Sequence, residues 1–352
     1  MKNKFLIGVL TVFAAIITSI IILNITKSST NKDNYFDRKF SKNEILSFEK
    51  EYNKLSKNNT QQSFYSGDSI IELELKDDLT GEYNLTFTDF LFSEKSNVKL
   101  IIPNEANLLS IYKNTLFYSL KRRLYKLELD KKKTNEIKTD KLDVSSLIPV
   151  QNSQNKNLFF GEVFNNNTYK LGFFILNTVN GEVSISKLLY TNKESFKPEI
   201  TLKYAGRFQK IANHKYAYTC EDNSKIFFFD ENGDFDNEFI TKDNTPLPNT
   251  IKDSEGNCYF SRDGSKYTNS GVLIDKENIF VFSMATAIKD KIIIDQYSKI
   301  TQKYIQSFKL NYKNHCSMDI ENIHIENNKI LLEFESNYAS FKFSRYNDEI
   351  FY

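Results

Sequence analysis

The sequence predicts an all-β fold, a ring of six blades with seven as the alternative count, preceded by an N-terminal transmembrane helix. Three observations predict it. An uncharged apolar run fills residues 5–25; short stretches of alternating apolar and polar residues follow from residue 60; and those stretches recur as a loose unit to the C-terminus. The expected organisation is an anchor over residues 1–26, a tether with a short amphipathic helix over 27–59, and a β-rich body over 60–352.

The anchor comes first. From Phe5 to Ile25 the chain reads FLIGVLTVFAAIITSIIILNI. About 20 such residues at 1.5 Å rise cross a hydrocarbon layer of roughly 30 Å. A cleaved signal peptide is the competing reading, but its apolar region runs only about 7 to 15 residues before a small-residue cleavage site. Here the run is longer, and the pair Ala14-Ala15 falls in its middle. Lys2 and Lys4 precede the segment, whereas Lys27 and Lys32 follow it, so the charge bias that sets orientation is slight. Placement of the body on the extracytoplasmic, periplasmic side therefore rests on the segment's N-terminal position.

The tether, residues 27–40, is polar and rich in Ser, Asn and Lys. Ser41-Lys42-Asn43-Glu44 then matches the S-x-x-E capping box, in which each side chain satisfies the other's free backbone N–H. Ile45, Phe48, Tyr52 and Leu55 follow at steps of three and four, which predicts a helix over about residues 42–57.

Beyond residue 60 the period changes to two. Ile70–Leu75, Leu124–Leu129 and Ile330–Glu335 alternate apolar and polar residues, the mark of half-buried strands. A unit of apolar-aromatic pulses separated by polar gaps starts near Asn114, Lys156, Lys215 and Gly256. It returns in DKIIIDQY with KYIQSFKL, and in NKILLEFE with YASFKFSRY. A period of about 40 to 50 residues is that of propeller blades. Residues 76–103 fit the unit poorly. Two stacked β-sandwiches, divided near residue 195, are the non-propeller alternative.

Two segments are sharper than the rest. Ile226-Phe227-Phe228-Phe229-Asp230-Glu231-Asn232-Gly233-Asp234-Phe235 runs an aromatic strand into an Asn-Gly turn, where both residues tolerate positive φ. Asp253-Ser254-Glu255-Gly256-Asn257-Cys258-Tyr259-Phe260 runs an Asp-x-x-Gly-Asn turn into a Tyr/Phe strand. On these segments the body resembles the NHL and TolB-like six-bladed β-propellers. The first looks like the outer hairpin of a blade, the second like the opening of a blade's second strand. The resemblance implies that ligands meet the mouth of a central channel where loops converge. Arg207, Lys210, His214, Asp222, Arg262 and Asp263 are the loop residues expected there, with ordinary surface charge as the plain alternative.

Composition narrows the function classes. Without Lys2 and Lys4 the chain carries 47 − 2 = 45 basic against 45 acidic residues. That balance excludes a nucleic-acid binder, which needs excess Lys and Arg on one surface. Asp230, Asn232, Asp234, Asp236 and Glu238 alternate like the start of a calcium loop, but Phe235 stands where such a loop needs Gly, so a hairpin turn is the better reading. His214, His315 and His324 form no metal spacing, and Cys220, Cys258 and Cys316 form no CxxC, although a Cys220–Cys258 disulfide is open to an exported chain. No GxSxG or P-loop spacing is present, and nothing calls for a cofactor. The expected function is a membrane-anchored extracytoplasmic binding or scaffold protein presenting propeller loops to a protein, peptide or glycan. The alternative is a lactonase-like propeller hydrolase with a metal in its channel.

Overall fold

The computed structural model describes residues 36–343 apart from 55–59, 67–68, 78–79, 90–93, 140, 154, 166, 194–196, 212–214, 262–265, 286–287, 289 and 327–328. The predicted span at residues 5–25 lies outside the described residues. Among those described, no helix is long and apolar enough to cross a membrane.

The body is a six-bladed β-propeller. Six antiparallel four-stranded sheets follow one another along the chain, with one extra hairpin. A first strand, β1 (Leu46–Asn53), belongs to the last blade. Blade one holds β2 (Thr60–Ser66), β3 (Ser69–Asp77), β4 (Glu82–Asp89) and β5 (Glu94–Ile101). Blade two holds β6 (Asn107–Tyr112), β7 (Thr115–Leu120), β8 (Arg123–Glu128) and β9 (Lys133–Ile137). Blade three holds β10 (Lys141–Pro149), β11 (Lys156–Asn165), β12 (Thr168–Asn177) and β13 (Val183–Asn192). A five-residue helix, α1 (Pro198–Leu202), leads into blade four, which holds β14 (Gly206–Lys210), β15 (Tyr216–Cys220), β16 (Lys225–Phe229) and β17 (Phe235–Ile240). The extra hairpin, β18 (Thr250–Lys252) with β19 (Cys258–Phe260), comes next. Blade five holds β20 (Asn269–Ile274), β21 (Asn278–Ser283), β22 (Ile292–Ser298) and β23 (Tyr304–Leu310). Blade six holds β24 (Asn322–Glu326), β25 (Lys329–Glu333) and β26 (Asn337–Phe343), with β1 paired to β26. The first strands of neighbouring blades touch, β2 with β6, β6 with β10, β10 with β14 and β20 with β24, so they form the inner wall.

The ring closes by the chain's two ends. Leu46 pairs with Phe343 and Asn53 with Asn337, so β1 supplies the outer strand that blade six lacks. This corrects the helix predicted over residues 42–57. Ser41 caps a turn, its Oγ accepting the Asn43 N–H at 3.1 Å, and the chain then extends. The three-and-four spacing is satisfied locally by a helix, but the open edge of β26 offers a full ladder of backbone hydrogen bonds, and an unpaired edge is costly to leave. The ladder wins.

The blade count stands at six, although the units divide differently from the pulses. Gly256–Phe260 lies in the extra hairpin and does not open a second strand, while the pulses from Gly271 to Leu310 make one blade. The region that fits the unit poorly, residues 76–103, carries β4 and β5 of blade one. Ile226–Phe235 is an outer hairpin, as its resemblance implies, because β16 and β17 are third and fourth strands.

Buried hydrophobic clusters fill the seams between blades. Leu73, Leu85, Leu116 and Leu127 join blades one and two, and Leu124, Leu142, Phe159 and Phe174 join two and three. Phe160, Phe173, Tyr218, Phe227 and Phe229 join three and four. Neighbours along one strand, Phe159 and Phe160 on β11, serve opposite seams because side chains alternate across a sheet. Phe173 sits at the centre of the third seam, its ring 4.9 Å from those of both Phe227 and Phe229. Among the described residues the seam between blades six and one has the smallest cluster, Ile70, Leu331 and Tyr338, and there the Tyr338 hydroxyl lies 2.9 Å from Ser63 Oγ.

Candidate functional site at the capped end of the propeller

In each antiparallel blade the first strand begins beside the end of the second. Gly206 faces Cys220 in blade four, and Asn322 faces Glu333 in blade six. Arg207 Nη1 donates to Asn322 Oδ1 at 3.4 Å, so the beginnings of β14 and β24 share one end of the ring. The connections into blades four and five also run at that end, and they carry α1 and the β18–β19 hairpin. Thr250 Oγ1 donates to the Glu199 carbonyl at 3.2 Å, which ties the hairpin to the helix. This is the capped end.

Two of the predicted residues meet here. Arg207 Nε donates to Glu221 Oε1 at 2.7 Å. Asp222 is buried in the tight turn between β15 and β16. That turn is fastened on both sides: Asn223 Nδ2 donates to the Lys203 carbonyl at 3.0 Å, and Thr268 Oγ1 donates to the Asn223 carbonyl at 2.6 Å. Asp222 is thus part of a braced turn. Lys210 does not join them, because it is the last residue of β14 and is exposed at the opposite end. His214, Arg262 and Asp263 lie outside the described residues.

The structure adds two charged clusters that the sequence reading missed. In blade six, Lys54 Nζ lies 2.7 Å from Glu321 Oε2 and 2.9 Å from Glu333 Oε1, and Asn322 Nδ2 donates to Glu333 Oε2 at 3.1 Å. His324 Nε2 is 3.7 Å from the same Glu333 oxygen. Burial pushes His324 down to about 4, so the ring is neutral near pH 7. Burial works against the Glu333 carboxylate, but His324 and Lys54 outweigh it and hold the group down at about 2. In blade three, Glu162 on β11 faces Asp143 on β10. Thr201 Oγ1 of α1 donates to Glu162 Oε1, and Arg122 Nε stands 3.7 Å from Asp143 Oδ2. Burial raises the Asp143 carboxyl and lifts Glu162 to about 7. Both clusters left a trace in the sequence: Glu162 closely follows the apolar Leu158–Phe160 on β11 and Glu333 follows Ile330–Leu332 on β25, and a carboxylate is almost never fully buried unless it is paired.

The remaining candidates resolve into turns and packing. Asp230 Oδ1 accepts the N–H groups of Asn232 and Asp234, both at 2.9 Å, which is the hairpin turn favoured over a calcium loop. His315 stacks on Phe334 with centroids 4.2 Å apart. Cys220, Cys258 and Cys316 are all free thiols, so the Cys220–Cys258 bridge is not formed. Among the described residues no three His, Cys, Asp or Glu side chains converge as metal ligands. The charged groups pair with one another.

No protein-family model matches this chain, and no curated protein does. Among solved structures, it is similar to a selenomethionine-substituted virginiamycin B lyase from Staphylococcus aureus, at 12% identity over 84% of this chain and 99% of that one, with a TM-score of 0.43. It is also similar to a member of the DUF4221 family from Bacteroides vulgatus, at 10% identity over 84% of this chain and 97% of that one, TM-score 0.45. The WD40 domain of Neurospora crassa Pan2 matches at 8% identity over 82% of this chain and 90% of that one, TM-score 0.40. The propeller fold stands on the strand pairing described above, independently of these likenesses.

Proposed function

We propose that this chain is a membrane-anchored binding or scaffold module, held by residues 5–25 on the extracytoplasmic, periplasmic side, that presents the capped end of its propeller to a protein, peptide or glycan. The observation that supports this reading is the build of the capped end. The inserted hairpin exposes Ile251 and Tyr259, which pair directly across β18 and β19, and Tyr267 is exposed in the connection just before β20. Exposed aromatic and aliphatic side chains on a rigid element are the usual anchors of a recognition surface. The charged groups at the same end of the ring are engaged with one another, Arg207 with Glu221 and Lys54 with Glu321 and Glu333. A general acid or base needs a group aimed at its substrate, and these are aimed at each other.

The reading is tested by placing a photo-crosslinking residue at position 259 or 251 of the full chain in its native membrane, with position 179 on the β12–β13 turn as the control. A discrete adduct from the hairpin positions, absent from the control, is expected. Equal labelling from all three positions, or turnover of a substrate that depends on a stoichiometric divalent metal, would replace the binding module with an enzyme.

A further inference from the structure

The chain joins the propeller at blade five, and hydrogen bonds set the direction from which it arrives. Ser307 N–H donates to the Lys39 carbonyl at 2.9 Å, and Ser41 N–H donates to the Ser307 carbonyl at 2.8 Å. These two bonds make a parallel bridge between Phe40 and Ser307. Residues 39–41 therefore run in the same sense as β23. Arg38 therefore lies toward the beginning of β23; the Lys39 N–H also donates to the Tyr304 hydroxyl at 2.9 Å, which itself lies 2.7 Å from Ser307 Oγ. The turn between β22 and β23, residues 299–303, sits at that same end, opposite the capped end of the blade.

The tip of this turn is Ile300, 89% exposed and the most exposed large hydrophobic side chain among the described residues. Ile305 at the start of β23 and Phe40 on the bridging segment are also exposed. Around them stand Lys39, Lys299, Lys303 and Lys309, all exposed, with the Lys309 ammonium 3.9 Å above the Phe40 ring. The neighbouring β20–β21 turn carries Asp275, Lys276 and Glu277, and the Lys299 N–H donates to the Glu277 carbonyl at 2.8 Å. Apolar tips ringed by lysines suit the boundary between headgroups and acyl chains: the isoleucine leaves water, and the ammonium groups reach anionic phosphates on flexible stems.

We propose that this edge of blade five, Phe40, Ile300 and Ile305 with Lys39, Lys299 and Lys303, docks on a lipid bilayer carrying anionic headgroups. The inference rests on the reading of residues 5–25 as an anchor. Residues 26–37 span at most about 40 Å fully extended, so blade five stays close to the surface that holds the anchor. Such a patch binds weakly alone, but a short tether raises its effective concentration at the bilayer and makes weak contacts sufficient. Docking here turns the capped end away from the lipid and leaves the hairpin open to a partner.

The test uses the full chain reconstituted in vesicles of phosphatidylcholine with and without phosphatidylglycerol. A photo-crosslinking residue is placed at position 300 or at position 259. Lipid adducts are expected at 300 and not at 259, more of them with phosphatidylglycerol. Lys299→Glu and Lys303→Glu are each expected to cut the adducts by roughly fivefold, the effect shrinking at high salt. A chain that resists alkaline carbonate extraction yet gives no lipid adduct at 300, or gives protein adducts there instead, overturns the docking and leaves the anchor standing. A chain extracted by carbonate removes the anchor and the docking together. Unchanged melting of the position-300 and lysine variants shows that each is folded.

Discussion

The Arg38 guanidinium meets the Asp295 carboxylate at 2.9 Å, with side chains only 4% and 2% exposed. Arg38 precedes every strand of the propeller, and Asp295 lies in the middle of β22. Ser283 and Ser307 complete the site: Arg38 Nη2 donates to Ser283 Oγ, and Ser307 Oγ donates to Asp295 Oδ1. A segment of tether is thereby built into blade five.

Breaking that pair is expected to be expensive. Arg38→Ala leaves the buried Asp295 carboxylate with the Ser307 hydroxyl as its side-chain partner, and removing one partner of a buried ion pair costs about 3–5 kcal/mol. The double substitution Arg38→Met with Asp295→Leu is expected to recover much of the loss, because the unpaired charge is gone. Urea denaturation of the three proteins measures both; equal stability of Arg38→Ala and wild type would show that the pair contributes nothing.

Glu162 predicts a pH dependence of definite sign. Burial lifts its folded-state pKa to about 7, Asp143 and Glu199 add to the rise, and Thr201 and Arg122 oppose it. The folded form therefore holds the proton more tightly than the unfolded chain, whose carboxyl titrates near 4.5. The stabilising contribution is complete below pH 4.5 and is lost as pH rises through about 7. Glu162→Gln is expected to gain stability relative to wild type across that window, read from melting temperatures at stepped pH. A constant offset between the two proteins would rule this out.

Glu333 runs the other way. Its folded-state pKa of about 2 lies below the ordinary 4.5, so its contribution is present above pH 4.5 and fades as pH falls toward 2. Lys54→Ala removes one of the groups that hold Glu333 charged, leaving His324 beside it. A loss of about 3–5 kcal/mol at neutral pH is expected, with a shallower decline in acid. Circular dichroism during acid titration separates this from a uniform loss at every pH.

Phe173 carries the third seam. Phe173→Ala empties a site between five aromatic rings, four of them buried, and such truncations cost about 3–5 kcal/mol. Phe173→Leu is expected to cost less because it leaves a smaller cavity. Val179→Ala, on an exposed turn, is expected to stay within about 0.5 kcal/mol of wild type. Calorimetry of the three variants gives the ranking, and a Phe173→Ala protein as stable as Val179→Ala would mean that the seam repacks fully.

The blades were legible where one physical signal dominates. Period-two alternation places β3, β8 and β25 because successive side chains of a strand point to opposite faces, a pattern that needs no information from elsewhere in the chain. Aromatic density marks the third seam for the same reason. β1 was not legible. Its own residues satisfy a helical stripe, and only the vacant edge of β26, nearly 300 positions away, makes it a strand. The site followed the same division. Arg207 and Asp222 stand near strand ends, where a loop residue reaches the capped end, whereas Lys210, three positions from Arg207, sits at the far end of the same short strand.

By itself the sequence determined the class of the body, its charge balance, the apolar run at residues 5–25 and a blade count of six or seven, because these follow from composition and local period. The tertiary structure alone decided which segments share a blade, that the chain's two ends close the ring, and which charges are buried against each other. Lys54 with Glu333, Arg38 with Asp295 and Glu162 with Thr201 join residues 39 to 279 positions apart. No local pattern encodes such pairs; they exist because backbone pairing carries distant residues into one low-dielectric seam, where an unpaired charge could not remain.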